Sequence, residues 1–222
     1  MKTLSEISKL YPTDKDFTHN YYNMVYEKYF SPVSESTKLV CEIGIGGFWA
    51  DASWVHGNSL KVFRDYFTNA SILGLDIQRY DIAELGERVV LDWLDQSQLH
   101  LVKDYSAKLT NYDIILDDGS HKMLDQQITI AYFLKSLRSG GMYILEDLHT
   151  SLEVGMPEKA IWGWGDTEKT TTLDMLEIFN QTGKISSDYL TDTECSYLEA
   201  NIASVEIFRL SPTSITSVIV KK

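Results

Sequence analysis

Two stretches decide how this chain folds: YDIILDDGSH, residues 112–121, and GGMYILEDLH, residues 140–149. Each is an apolar run that ends in two adjacent carboxylates, with a histidine within the next few residues. Short apolar runs bounded by glycines and acids read as buried strands. Between them MLDQQITIAYFLKSLR (123–138) carries a helical repeat of apolar positions. Strand, helix, strand at this spacing is a right-handed parallel crossover, so the two acidic strand ends lie side by side.

The same alternation extends outward. Upstream, KLVCEIGIGG (38–47) is a short buried strand ending in glycines, and SLKVFRDYF (59–67) is a helix. SILGLDI (71–77) and ERVVLDW (87–93) are the second and third strands, and DQSQLHLVKDYSAKL (95–109) is a helix with an Asp available as its cap. Downstream, a helix over 171–182 precedes SVEIFRL (204–210) and SITSVIV (214–220), which flank the turn SPT and predict an antiparallel hairpin at one sheet edge. The expectation is a doubly wound α/β sheet of seven strands, mostly parallel, in one domain spanning 1–222. Residues 1–37 form an N-terminal helical segment, with Tyr22, Tyr26, Tyr29 and Phe30 at helical intervals. Residues 149–172 break the rhythm, carry Gly and Trp, and are expected to be a substrate-side loop.

Composition narrows the function. Of 222 residues, 44% are hydrophobic and 23% charged, the balance of a globular domain with a full-sized core. A net charge of −12 is a poor footprint for nucleic acid or an anionic membrane, and no apolar run suggests a membrane span. The N-terminus lacks the apolar core of a secretory signal, and two cysteines do not make a disulfide framework. A cytoplasmic protein acting on a small molecule is the expectation.

In a doubly wound sheet ligands sit beyond the carboxyl ends of the strands. The first strand ends Glu42-Ile43-Gly44-Ile45-Gly46-Gly47, where glycine permits a tight turn and close approach to a ligand. A dinucleotide fingerprint would need a third glycine where Trp49 stands, so a pyrophosphate grip is disfavoured. Glu42 suits either a ligand ammonium or ordered loop amides. Asp76, ending the second strand, can accept both hydroxyls of a ribose, and Asp95 and Gln96 follow the third strand where an adenine edge would lie. That set suits a nucleoside without phosphates and with positive charge, as in S-adenosylmethionine (SAM).

The paired strand ends bring Asp117, Asp118, Glu146 and Asp147 together. Carboxylates that close repel and raise one another's pKa, and a hard divalent ion such as Mg²⁺ removes the conflict. Asp118 or Ser120 could instead cap the following helix, but capping does not account for four converging acids.

At these residues the chain resembles the class I SAM-dependent O-methyltransferases that act on sugar hydroxyls of macrolides and related glycosides. TDKDFTHNYYNMVYEKYF, CEIGIGG, GNSLKVFRDYF, ILGLDI, DQSQL, IILDDGSH and GGMYILEDLHTS, from residue 13 to about 150, carry the resemblance. It implies a Rossmann-like methyltransferase sheet, SAM held with Ser59 and Asp117 among its contacts, Mg²⁺ held by Asp118, Glu146 and Asp147, and His121 as general base. It implies a hydroxyl of a sugar or glycan as acceptor, and self-association in many members. The chain departs from the pattern at His56-Gly57-Asn58-Ser59-Leu60, at Phe63 in place of a tryptophan, and in lacking the long N-terminal extension of the macrolide enzymes. His19 and Tyr22 either reach over the site or pack in the core. His149 is either a partner of the acids or a solvated side chain, and Trp162 and Trp164 either stack on a sugar or anchor their loop. A catechol-like acceptor, or a binding protein that keeps the fold without turnover, are the alternative functions.

Overall fold

The computed structural model describes residues 2–13, 15, 22–46, 56–82, 84–154, 163–166 and 168–222. Seven strands form one sheet: β1 (Leu39–Ile43), β2 (Ser71–Asp76), β3 (Val89–Trp93), β4 (Tyr112–Asp117), β5 (Leu137–Leu145), β6 (Ile202–Ser211) and β7 (Ser214–Lys221). Their order is β3-β2-β1-β4-β5-β7-β6. The first five are parallel, while β7 pairs antiparallel with both β5 and β6, as the apolar runs and the SPT turn predict.

Side chains alternate along the central strands, and each face meets a different helical layer. Cys41, Ile115, Tyr143 and Leu145 face α4 (Leu99–Ser106), α5 (Met123–Ser136), α6 (Thr172–Thr182) and α7 (Asp192–Asn201), with Phe133, Leu176 and Leu198 closing that core. Val40, Ile114, Ile144 and Val218 face the other way, towards α1 (Leu4–Ser8), α2 (Tyr22–Phe30) and α3 (Asn58–Tyr66). There Tyr26 stacks on Phe30 at 5.0 Å, and Phe30 meets Phe67 edge-on at 5.2 Å. These ring contacts seat α2 directly behind the ends of β4 and β5.

Helix α7 is absent from the expectation, and α1 is not singled out within the expected 1–37 helical segment, although both announce themselves. Thr3-Leu4-Ser5-Glu6 and Thr191-Asp192-Thr193-Glu194 are reciprocal capping boxes, and they open α1 and α7. Short length and weak apolar periodicity hide the helices that follow. Boundaries also move. Strand β5 starts at Leu137, straight from α5, because Gly140 and Gly141 sit inside a pairing irregularity opposite Tyr112 and Ile114 rather than ahead of the strand. Helix α4 starts at Leu99 because Asp95 folds back on Ser97, accepting from its amide at 3.0 Å and its hydroxyl at 2.7 Å. Among the described residues no helix is long and apolar enough to cross a membrane.

At the opposite end of the sheet from the glycine turn, Asp113 ties β4 to the start of β1. Its carboxylate accepts from the amides of Lys38 (2.7 Å) and Leu39 (3.0 Å) and pairs with Arg138 Nε at 2.5 Å. Burial raises its pKa, but Arg138 and the two amides outweigh burial and hold it below the ordinary carboxylate value. A depressed folded-state pKa stabilises above the unfolded value and is lost as pH falls through the folded one. Asp113→Asn should therefore cost roughly 1–3 kcal/mol at neutral pH. The gap from the parent should close as pH drops below the unfolded Asp pKa of about 4, as read by urea denaturation across pH.

Candidate active site

The strand ends interlock before any side chain contributes. Gly44 N–H donates to Leu75 O, and Asp118 N–H to Ile43 O, both at 2.8 Å. Glu146 N–H donates to Asp117 O at 3.0 Å. Gly44 has φ +82°, and a Cβ there would lie 2.0 Å from Asp118 O. The glycine therefore lets the turn after β1 lie against the turn after β4. Ile45 N–H and Gln78 N–H donate to the two Asp76 oxygens at 2.9 and 2.8 Å. Burial raises the Asp76 pKa, and these amides oppose the rise. Glu42, fully buried, accepts from Ser59 Oγ at 2.7 Å.

Adjacent acids part company at each strand end. Asp117 turns into the sheet, where Tyr143 OH donates at 2.5 Å and Gln96 Nε2 at 2.9 Å. Burial raises its pKa against those hydrogen bonds. Gln96 Oε1 accepts from Ser120 N–H at 2.9 Å, and a Cβ on Gly119 would fall 1.8 Å from that oxygen. Gln96 thus fastens the DDGSH turn to the sheet. Asp118 points the opposite way, so three terminal acids meet rather than the expected four. Neither Asp118 nor Ser120 caps α5. The Ser120 hydroxyl donates to Asp125 at 2.7 Å, and the cap residue Lys122 offers no side-chain bond.

His121 stands between two of the three. Its Nε2 lies 3.8 Å from Asp118 Oδ1 and 3.5 Å from Asp147 Oδ2. Each of the three residues offers a ligand atom within 4.8 Å of the others, the one such group among the described residues. Both His121 (φ +57°) and Asp147 (φ +55°) hold left-handed backbone, which costs a residue with a Cβ about 1–2 kcal/mol. His149 Nδ1 lies 3.8 Å from Asp147 Oδ1.

The third acid, Glu146, is held from the N-terminal layer. Tyr22 OH donates to Asp147 Oδ1 at 2.5 Å, and Tyr26 OH, one turn on, donates to Glu146 Oε1. The i, i+4 spacing on α2 thus matches the two consecutive acids. Lys15, 5% exposed, places its ammonium against Asp118 Oδ2, 2.9 Å from Glu146 Oε2 and 3.8 Å from Glu42 Oε1. Burial alone would raise the Asp147 pKa. His121, His149, Tyr22 and Lys15 together bring it below the ordinary value.

Of the residues singled out from sequence, Glu42, Gly44, Gly46, Ser59, Asp76, Gln96, Asp117, Asp118, His121, Glu146, Asp147 and His149 line these strand ends or their supports. Asp95 caps its own turn, and Tyr22 is buried. Trp164 O accepts from Met123 N–H at 2.7 Å, which puts that residue at the start of α5. Gly47, His19 and Trp162 lie outside the described residues. Lys15, Tyr26, Gly119 and Tyr143 were not expected. The first two lie inside TDKDFTHNYYNMVYEKYF, where nothing local shows which acids they meet.

The residues fit a hard divalent cation: the Asp118 and Asp147 carboxylates converge with spacings a single small ion can bridge, and three carboxylates face one ammonium. Comparison with known proteins is consistent with that chemistry. The MycE methyltransferase of the mycinamycin pathway, solved with Mg, SAH and mycinamycin VI, shares this fold at TM-score 0.76 and 25% identity, covering 99% of this chain and 54% of that one. The mycinamicin VI 2''-O-methyltransferase of Micromonospora griseorubida is 30% identical over 158 residues, which is 71% of this chain and 39% of that protein. The 8-demethyl-8-alpha-L-rhamnosyl tetracenomycin-C 2'-O-methyltransferase of Streptomyces olivaceus is 32% identical over 149 residues, 67% of this chain and 38% of that protein.

The chain is a distant homologue of the sugar O-methyltransferases. Its sheet is the class I methyltransferase sheet, with the antiparallel hairpin at the β6 edge. No protein-family model matches it. It spans under two-fifths of the length of these two curated relatives.

Two substitutions probe how the site is held. Gly44→Ala forces a Cβ into the Asp118 carbonyl at a left-handed φ and should destabilise by at least about 2 kcal/mol in urea denaturation. Tyr26→Phe strips a donor from buried Glu146 and should cost about 1.5–3 kcal/mol, the worth of a hydrogen bond to a charged group.

Proposed function

We propose that this chain transfers the methyl group of SAM to a hydroxyl of a sugar or glycosylated natural product, in a reaction that needs Mg²⁺ or a similar divalent ion. The observation that carries the reading is the meeting of Asp118, His121 and Asp147 at the carboxyl ends of β4 and β5, beside the glycine turn after β1. The relatives' names describe O-methylation of such glycosides, and the MycE complex contains Mg and SAH.

Asp118 and Asp147, with Glu146, would hold the ion, and the turn at Gly44 and Gly46, with Glu42, Ser59, Asp76, Gln96 and Asp117, would cradle the cofactor. Asp95 stands at the rim of that cradle. When bound, the ion supplies charge that stabilises a developing alkoxide, and SAM supplies an electrophilic methyl. His121 Nε2 accepts the hydroxyl proton as the new O–C bond forms and the C–S bond breaks. That nitrogen lies 3.8 Å from Asp118 and 3.5 Å from Asp147, which sets the base beside the residues that would hold the ion. Positive charge fits a pocket where four carboxylates outnumber one lysine. Tyr22 acts by fixing Asp147 rather than by touching the acceptor. His149 stands beside the same carboxylate, and Trp164, at the start of α5, would stack on the acceptor.

Calorimetry with SAM, with and without Mg²⁺, and methyl transfer from labelled SAM to rhamnosyl or other deoxysugar glycosides test the reading. His121→Ala should lower turnover by roughly 10²–10⁴-fold, the usual worth of a general base. Asp118→Ala should abolish metal binding. Wild-type rates in both variants would overturn the mechanism, and preferential methylation of a vicinal phenol would move the acceptor to the catechols.

A further inference from the structure

We propose that Lys15 is a built-in competitor for the divalent ion, an ammonium that occupies the acid cluster when the ion is absent and yields to it when it binds. The inference rests on the metal-dependent reading above and adds a residue that sets how tightly the ion is held. Three observations carry it. Lys15 is only 5% exposed, so its charge must be neutralised by the residues around it. Among them are Asp118, Glu146 at 2.9 Å and Glu42 at 3.8 Å, which join the metal-side acids to the cofactor-side one. Glu146, 1% exposed, has one oxygen under Tyr26 OH and the other under the Lys15 ammonium.

A divalent ion that takes Glu146 as a ligand alongside Asp118 and Asp147 competes for the oxygen Lys15 holds, the other being engaged by Tyr26. Ammonium and ion cannot share Asp118 and Glu146 at contact distance without direct repulsion between like charges in a buried space. Lys15 has a second effect. Without an ion, Glu42, Asp118, Glu146 and Asp147 would repel one another, and the ammonium lets the empty site stay assembled. The apparent metal affinity is then the intrinsic one reduced by the fraction of molecules in which the ammonium has withdrawn.

Isothermal titration of Mg²⁺ into the full chain, wild type against Lys15→Met and Lys15→Arg, reads this directly. The Met variant should bind Mg²⁺ about tenfold or more tightly, while Arg, which keeps the charge, should stay near wild type. Thermal melting should show the Met variant less stable than wild type without metal and gaining more from saturating Mg²⁺. A measurement on the unaltered protein covers the case in which the Met variant does not fold. Lys15 acylation, followed by mass spectrometry, should be slow without metal and faster at saturating Mg²⁺. Equal or weaker Mg²⁺ binding by the Met variant, or Lys15 acylation that saturating Mg²⁺ leaves unchanged, overturns the competitor role and leaves the metal-dependent reading standing. No Mg²⁺ binding by wild type or variant overturns both.

Discussion

Four carboxylates and one ammonium share a buried space at the carboxyl ends of β1, β4 and β5, and the surrounding architecture manages that charge. Carboxylates taken out of water are stable only with partners, because desolvation exceeds what a lone charge can recover. The chain first uses strand alternation, which sends Asp117 into the sheet towards Tyr143 and Gln96 while Asp118 faces the site. It then uses helix periodicity, since the Tyr22 and Tyr26 hydroxyls on one face of α2 meet two consecutive acids. Adjacent acids in sequence are thereby given different neighbours in space.

This arrangement explains why the N-terminal layer is not an accessory to the sheet. The aromatic stack from Tyr26 through Phe30 to Phe67 fixes α2 against the core, and the same helix presents the hydroxyls that hold Glu146 and Asp147. Packing and chemistry are coupled through single residues. Tyr26 has its ring in the hydrophobic cluster and its hydroxyl on a carboxylate, the amphipathic use to which tyrosine is suited.

The sheet was legible because its signals are local. Buried parallel strands read as continuous apolar runs, and glycine after β1 or the acids after β4 and β5 mark where those runs stop. The acids and His121 were legible for the same reason, as residues fixed to strand ends by a few peptide bonds. Lys15 and Tyr26 were not, because their roles depend on contacts more than 100 residues away in sequence. A tyrosine at helical spacing reads as core, and Tyr26 is core; nothing in its spacing reveals what its hydroxyl meets. Helix α7, and the bounds of α1 within the N-terminal helical segment, were missed for a different reason. Their capping boxes are explicit, but their short, weakly periodic bodies give an apolar-pattern reading little to find.

Strain at the site follows from the same geometry. Strands β4 and β5 must stop abruptly so that His121 and Asp147 turn back towards one another, and both do so through left-handed backbone that glycine would adopt more easily. Glycine in those places would relax the backbone but remove the imidazole and the carboxylate. The strain persists because the neighbours over-determine the conformation: Asp147 is held at its carboxylate and its amide by the one Tyr22 hydroxyl, and Thr150 Oγ1 bonds the carbonyls of both His121 (3.3 Å) and Asp147 (2.9 Å). A threonine that ties the two strained residues to each other makes their separation a property of the turn rather than of two independent loops. The spacing of His121 from Asp147, on which the proposed proton transfer depends, is thus set by covalent and hydrogen-bonded constraints within the turn.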